Sequence, residues 1–208
     1  MPARDPFSQS DLPRINAALT SFSARDRALI LTVLHTGFRA RELGAMTIGH
    51  VLADDGLIRT TLALERRHLK HGRGAYREKI RTRTVPLAPN ARAALEAYIM
   101  QRRVLGTADA AAPLFLSRKN SGLSPWQINL IVHRLAIAAG CDPNRFYGSH
   151  SLRKTFAHAV HRAGGRDLAV TRVALGHHSI LMTQRYIRVG QDEADAAILA
   201  IGSSMAAA

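Results

Sequence analysis

A single cysteine, Cys141, occurs in the chain, so no internal disulfide can form and the thiol content gives no sign of an oxidising compartment. Long apolar runs are missing too, and none approaches the roughly 20 residues that a membrane-spanning helix needs. The start, MPARDPFSQS, lacks the charged-then-apolar layout of a secretory signal. No internal repeat, low-complexity tract or Ser/Gly-rich linker interrupts the sequence before the closing GSSMAAA. These absences lead to the expectation of a cytoplasmic protein with no membrane contact, folded as a single domain over 1–208, and the basic charge adds association with the nucleoid. Acids are scarce as well: 15 Asp and Glu face 29 Lys and Arg, for a net charge of +14. Apolar residues nevertheless make up 47%, enough to bury a core and to disfavour disorder. A folded, basic chain calls for a polyanion. Its cations are spread along the chain and not gathered beside one amphipathic segment, which favours nucleic acid over a lipid surface.

Periodicity divides the chain into a helical start, a β-rich middle and a helical second half. Ser10 and Ser23 read as N-caps, ARDRALILTVLHTG carries helix-spaced apolar residues up to Gly37, and RARELGAM holds a further short helix. HVLADDGLIRTTLALE reads as two strands around Asp54-Asp55-Gly56, and RTRTVPL as a third. Helices then follow from Asn90 to Arg103 and from Ser124-Pro125 to Gly140. Another is capped by Ser149 or Ser151, and short ones follow at DLAVTRVALG, SILMTQRYI and DEADAAILAIG. The expected class is mainly α with a small three-stranded antiparallel β-sheet.

Four segments bring a cation or nucleophile to a helix end or turn, namely Arg39 in HTGFRARELGAM, the stretch from Arg66 to Arg83, His150 with Arg153, and His177 to Tyr186, and each also has a purely structural reading. His150 and Arg153, three apart, share a helix face and can converge on a phosphate, or line a solvated surface. His177-His178 can form a site, or cap a helix. Tyr186 is a poor nucleophile without help, because a phenol titrates near 10, and it can equally pack a helix onto the core. The segment from Arg66 to Arg83 carries eight cations against Glu78 alone: it tracks phosphates or remains a solvated loop. Gly72 and Gly74 are too close for a nucleotide-binding loop. His158 and His161 have neither a carboxylate motif nor a second thiol beside them, so neither a metal nor a cofactor is expected.

Taken in order, the motifs resemble the catalytic domain of the tyrosine recombinases, the phage integrase family. The Thr-Gly-hydrophobic-Arg-x-x-Glu-Leu turn is Thr36 to Leu43, and a basic hairpin ends in Val85-Pro86-Leu87. The His-x-Leu-Arg box is His150 to Arg153, Leu-Gly-His is Leu175 to His177, and a tyrosine follows nine residues later at Tyr186. The resemblance spans about residues 10–190 and implies site-specific DNA recombination or integration through a covalent 3′-phosphotyrosyl intermediate. Arg39, Arg153 and His177 would then hold the scissile phosphate, Tyr186 would attack, and His150 would take the phenol proton. Lys70 would protonate the leaving oxygen, with Lys79 as the other candidate. Glu42 would orient Arg39. Arg66, Arg67, Arg73, Arg77, Lys79, Arg81 and Lys154 would bind DNA, Lys154 standing where the family often has His and facing DNA or solvent.

The implied partners are double-stranded recombination sites and a homotetramer on synapsed DNA, with a monomer in its absence, and neither ATP nor metal is required. The expected organisation is an N-terminal arm (1–9), a catalytic core (10–190) and a C-terminal helix and tail (191–208) docking in cis or in trans. No N-terminal core-binding domain is expected within the chain, as in a short bacterial one-domain member, with a fragment of a longer protein as the other reading. The competing functions are a non-catalytic DNA-binding accessory protein of the same fold and a type IB topoisomerase-like enzyme.

Overall fold

The computed structural model describes residues 4–64 and 83–187. In order these form α1 (Asp11–Ala18), α2 (Ala24–Thr36), α3 (Ala40–Gly44), β1 (Thr61–Leu64), β2 (Arg83–Pro86) and α4 (Pro89–Val104). Then come α5 (Pro125–Ala138), α6 (Ser149–Ala163), α7 (Leu168–Leu175) and α8 (Ile180–Gln184). The chain is thus mainly helical, and α2 lies at its centre, packed on α4 and α6, while α6 carries α7 and α7 carries α8.

The local code explains most boundaries. Ser23 Oγ accepts the Asp26 N–H at 3.2 Å and starts α2. Ser124 and Gln127 cap α5 reciprocally, with Pro125 in the first turn where its missing N–H costs nothing. Two expected caps fall elsewhere. Ser10 makes no capping bond at α1, where Ser8 Oγ accepts the Asp11 N–H. At α6 the cap is Gly148: Ser149 is already helical and gives its N–H to Asn129 Oδ1, and Ser151 Oγ accepts the Gly148 N–H at 3.0 Å.

Among the described residues the sheet has two antiparallel strands, not three, with Leu62 opposite Val85. The expected first strand is lost to helical backbone. Residues 48–50 form a 3-10 turn held by the His50 ring, and the N–H groups of Val51 and Leu52 both return to Ile48 O. One isolated bridge, Leu52 to Ile58, is all that the Asp54-Asp55-Gly56 turn closes.

Two hydrophobic clusters result. The large one extends from Phe7 to Leu152 and includes Leu29, Leu62, Leu95 and Leu135, all fully buried. It takes in the N-terminal arm, whose Phe7 stacks on Tyr147 at 4.7 Å and donates its N–H to Thr155 Oγ1. The small cluster consists of Phe156, Ala157, Leu175 and Ile187, with Tyr186 half-buried against it.

Candidate active site

Two glycines turn the chain at the site. Gly37 ends α2 with φ +61° and Gly176 ends α7 with φ +64°, the left-handed conformation that glycine adopts without a Cβ penalty. Space also demands them, since a Cβ on Gly37 would fall 2.3 Å from Phe156 Cδ1 and one on Gly176 2.8 Å from Arg83 Cδ. Each turn leads into a charged or titratable residue, Arg39 two positions after Gly37 and His177 directly after Gly176.

Arg39 is held from below. Its Nη1 donates to Glu42 Oε1 at 2.8 Å and its backbone N–H to Glu42 Oε2 at 2.6 Å, while Glu42 itself is only 1% exposed. Arg39 keeps a partly exposed guanidinium. Arg153, on the second turn of α6, is 1% exposed: it donates to Gly37 O, to Leu175 O at 2.9 Å and to His177 Nε2 at 3.0 Å. A guanidinium only donates, so Nε2 must be the bare nitrogen of the His177 ring, and Nδ1–H then donates to Thr183 Oγ1 at 3.0 Å. Burial, reinforced by Arg153 and Arg39, pushes the His177 pKa down to about 3, so the ring is neutral.

Tyr186 stands just beyond α8 beside this pair. Its ring centroid lies 5.2 Å from that of His177 and 5.8 Å from Arg153 Cζ, which sits over the ring. Half-buried, it is less exposed than its polar neighbours Gln184 and Arg185 suggest. His150 lies exposed one turn before Arg153. Partial desolvation and the adjacent Arg153 and Arg39 hold its pKa below the ordinary histidine value.

The structure therefore brings together Arg39, Glu42, His150, Arg153, His177 and Tyr186 from segments scattered over most of the sequence. Lys154 is different. Half-buried, it donates Nζ to Arg4 O at 2.6 Å and so secures the N-terminal arm, in place of the open DNA- or solvent-facing position expected. Arg66, Arg67, Lys70, Arg73, Arg77, Lys79, Arg81 and the C-terminal segment 191–208 lie outside the described residues. Two residues not singled out in the sequence join the cluster. Thr183, one turn before Tyr186, holds the His177 ring, and its helical spacing to Tyr186 was the available signal. Arg83, counted among the loop cations, is 9% exposed and buried behind the site. Among the described residues no three His, Cys, Asp or Glu side chains gather as metal ligands would, and no helix is long and apolar enough to cross a membrane.

The model of the phage integrase family matches residues 6–193. The tyrosine recombinase XerC of Ralstonia pickettii (strain 12J) is 36% identical over 167 residues, covering 78% of this chain and 48% of the relative. XerD of Xanthomonas campestris pv. campestris is 29% identical over 180 residues, covering 83% of this chain and 50% of the relative. The chain thus spans about half the length of the curated relatives it matches. Among solved structures, the XerA recombinase superposes with a TM-score of 0.71 at 26% identity, over 94% of this chain and 64% of that one. The XerH site-specific recombinase bound to palindromic difH substrate shares the fold, with a TM-score of 0.72 at 22% identity, over 93% of this chain and 51% of its own. Agreement of this breadth, from motif order through backbone course, places the chain in the phage integrase family of tyrosine recombinases.

Proposed function

We propose that the chain is the catalytic part of a site-specific DNA recombinase, which breaks and rejoins strands through a phosphodiester bond to Tyr186. One observation carries the reading: a phenol, two guanidiniums and a neutral imidazole from distant segments meet beside one another.

In the forward step Tyr186 Oη bonds to phosphorus and the bond to the 5′-oxygen breaks. The phenol proton passes to His150, whose lowered pKa keeps it neutral and able to accept at pH 7. The departing oxygen takes a proton from Lys70, or from Lys79, and rejoining reverses both transfers. Arg39 is open enough to receive a non-bridging oxygen directly. Arg153 must first exchange bonds, because its Nη1 and Nη2 donors now serve helix carbonyls and His177 and its Nε is buried. As a phosphate draws Arg153 outward, His177 Nε2 loses its donor and can carry a proton to the phosphate. Thr183 accommodates the change, since a hydroxyl donates as readily as it accepts. Energy is conserved in the protein–DNA bond, so ATP is not required, and the guanidiniums supply the charge that a metal would otherwise bring.

The basic segment 66–81 would track the backbone of double-stranded DNA, and the C-terminal segment would join protomers into a tetramer across two sites. The test is a nicked or 5′-bridging phosphorothiolate site incubated with the protein and resolved in SDS. A denaturation-resistant adduct is expected, unchanged by EDTA. Tyr186→Phe should form none while binding DNA with near-normal affinity and melting at the same temperature. Normal binding by the wild type without any adduct would leave only a DNA-binding module.

A further inference from the structure

Arg83 opens β2, and its guanidinium runs inward, not out to solvent. Nη2 donates to Thr36 O at the end of α2 and to Ala174 O at the end of α7. Arg153 makes the same bridge one residue further along each helix, to Gly37 O and Leu175 O. The two arginines are therefore successive rungs between one pair of helix ends. These are last-turn carbonyls, which no later residue of their own helix satisfies, and they sit at the negative ends of two helix dipoles. That explains how two cations stand buried side by side with Glu42 as the carboxylate that favours both charges. Burial, aided by Arg153, lowers the Arg83 pKa to about 9, which leaves it charged at neutral pH.

The contacts of Arg83 fall on the residues immediately before the two that turn into the site. Its guanidinium lies 5.0 Å from the Phe38 ring, and Phe38 precedes Arg39. Its stem packs against Gly176, which precedes His177. Nε and Nη1 are buried and have no hydrogen-bond partner among the described residues, so neither is open to a phosphate oxygen. Its hydrogen bonds among the described residues go to helix-end carbonyls, which sets it behind the site. A lysine could place one ammonium near the carbonyls, but that head rotates freely on a flexible stem, whereas the rigid guanidinium plane fixes the direction of the Nη2 donors toward both helix ends.

We propose that Arg83 is a positioning residue: it locks the ends of α2 and α7 together at the level where Arg39 and His177 emerge, and so fixes their spacing around the scissile phosphate. This rests on the reading of the site as one that binds a phosphodiester.

Arg83→Met and Arg83→Lys separate this from a bulk structural role. At saturating nicked DNA, single-turnover adduct formation should slow roughly 100-fold for Met, the size of an ångström-scale misplacement, and roughly tenfold for Lys. The Kd for DNA and its salt dependence should stay at wild-type values in both, because the cation is buried. In the DNA-free protein, NMR titration of the His177 ring should show its midpoint rising by at least about one pH unit in Arg83→Met, since a nearby cation is lost, and much less in Arg83→Lys. If Arg83→Met fails to fold, Arg83→Lys decides through the same rates. Wild-type adduct rates in the folded variants would overturn the inference, as would a rate loss fully accounted for by weaker, less salt-sensitive binding. A wild-type protein that forms no adduct overturns the reading of the site instead. The His177 titration then still decides whether Arg83 governs that ring, and unchanged ring signals in Arg83→Met would deny it.

Discussion

The cluster reaching from Phe7 to Leu152 is closed by branched and aromatic side chains contributed by nearly every element, whereas four residues, Phe156, Ala157, Leu175 and Ile187, support the segment that carries Tyr186. Apolar burial is the main source of stability, so the first cluster sets the global free energy, and the second allows the α7–α8 layer to open at lower cost. Chemistry gives a reason for the inequality. Arg153 is covered in the absence of DNA by helix ends, His177 and Tyr186, and it can meet a phosphate only if that layer shifts. Polar ties, not packing, hold the closed arrangement: Arg153 and Arg83 across the helix ends, and Thr183 on His177.

The contrast breaks hardest in the large cluster. Leu95→Ala should remove about 3 kcal/mol or more from global stability in urea unfolding, because the fully buried site is enclosed on all sides. Leu175→Ala should cost less, about 2 kcal/mol, and locally: hydrogen exchange should accelerate in α7 and α8 while α4 keeps its protection, and adduct formation should slow several-fold. Equal acceleration in α4 would make the two clusters one cooperative unit. Acid gives the finest distinction. His177 has a folded pKa near 3 and an unfolded value near 6.5, so above pH 6.5 the ring is neutral in both states and adds no pH dependence. Between those values only the unfolded chain takes the proton, and stability falls with falling pH by up to about 1.4 kcal/mol per unit. His177→Gln should flatten that slope in equilibrium unfolding at pH 4 to 7, and an unaltered slope would place the titration elsewhere.

Much of this organisation was legible because it is local. Gly37 and Gly176 announce the helix ends, Ser23 and Ser124 the starts, and the periodicity of HSLRKTFAHAV places His150 and Arg153 one turn apart on α6. What escaped depends on tertiary partners. The strand expected before Asp54 was lost because Ile48 draws the following N–H groups into a turn. Ser149 is no cap because it already lies in the first turn of α6, where Asn129 from α5 accepts its N–H. Arg83 and Lys154 were read as outward-facing cations because arginine and lysine are rarely buried. Only the folded chain brings two helix ends to one and the Arg4 carbonyl to the other.

The central claim concerns a single atom, the phenol oxygen of Tyr186. Its direct test is mass-spectrometric mapping of the trapped protein–DNA adduct after nuclease trimming and proteolysis. A nucleotide attached through phosphate to Tyr186 is the predicted result. Attachment to another side chain would contradict the account.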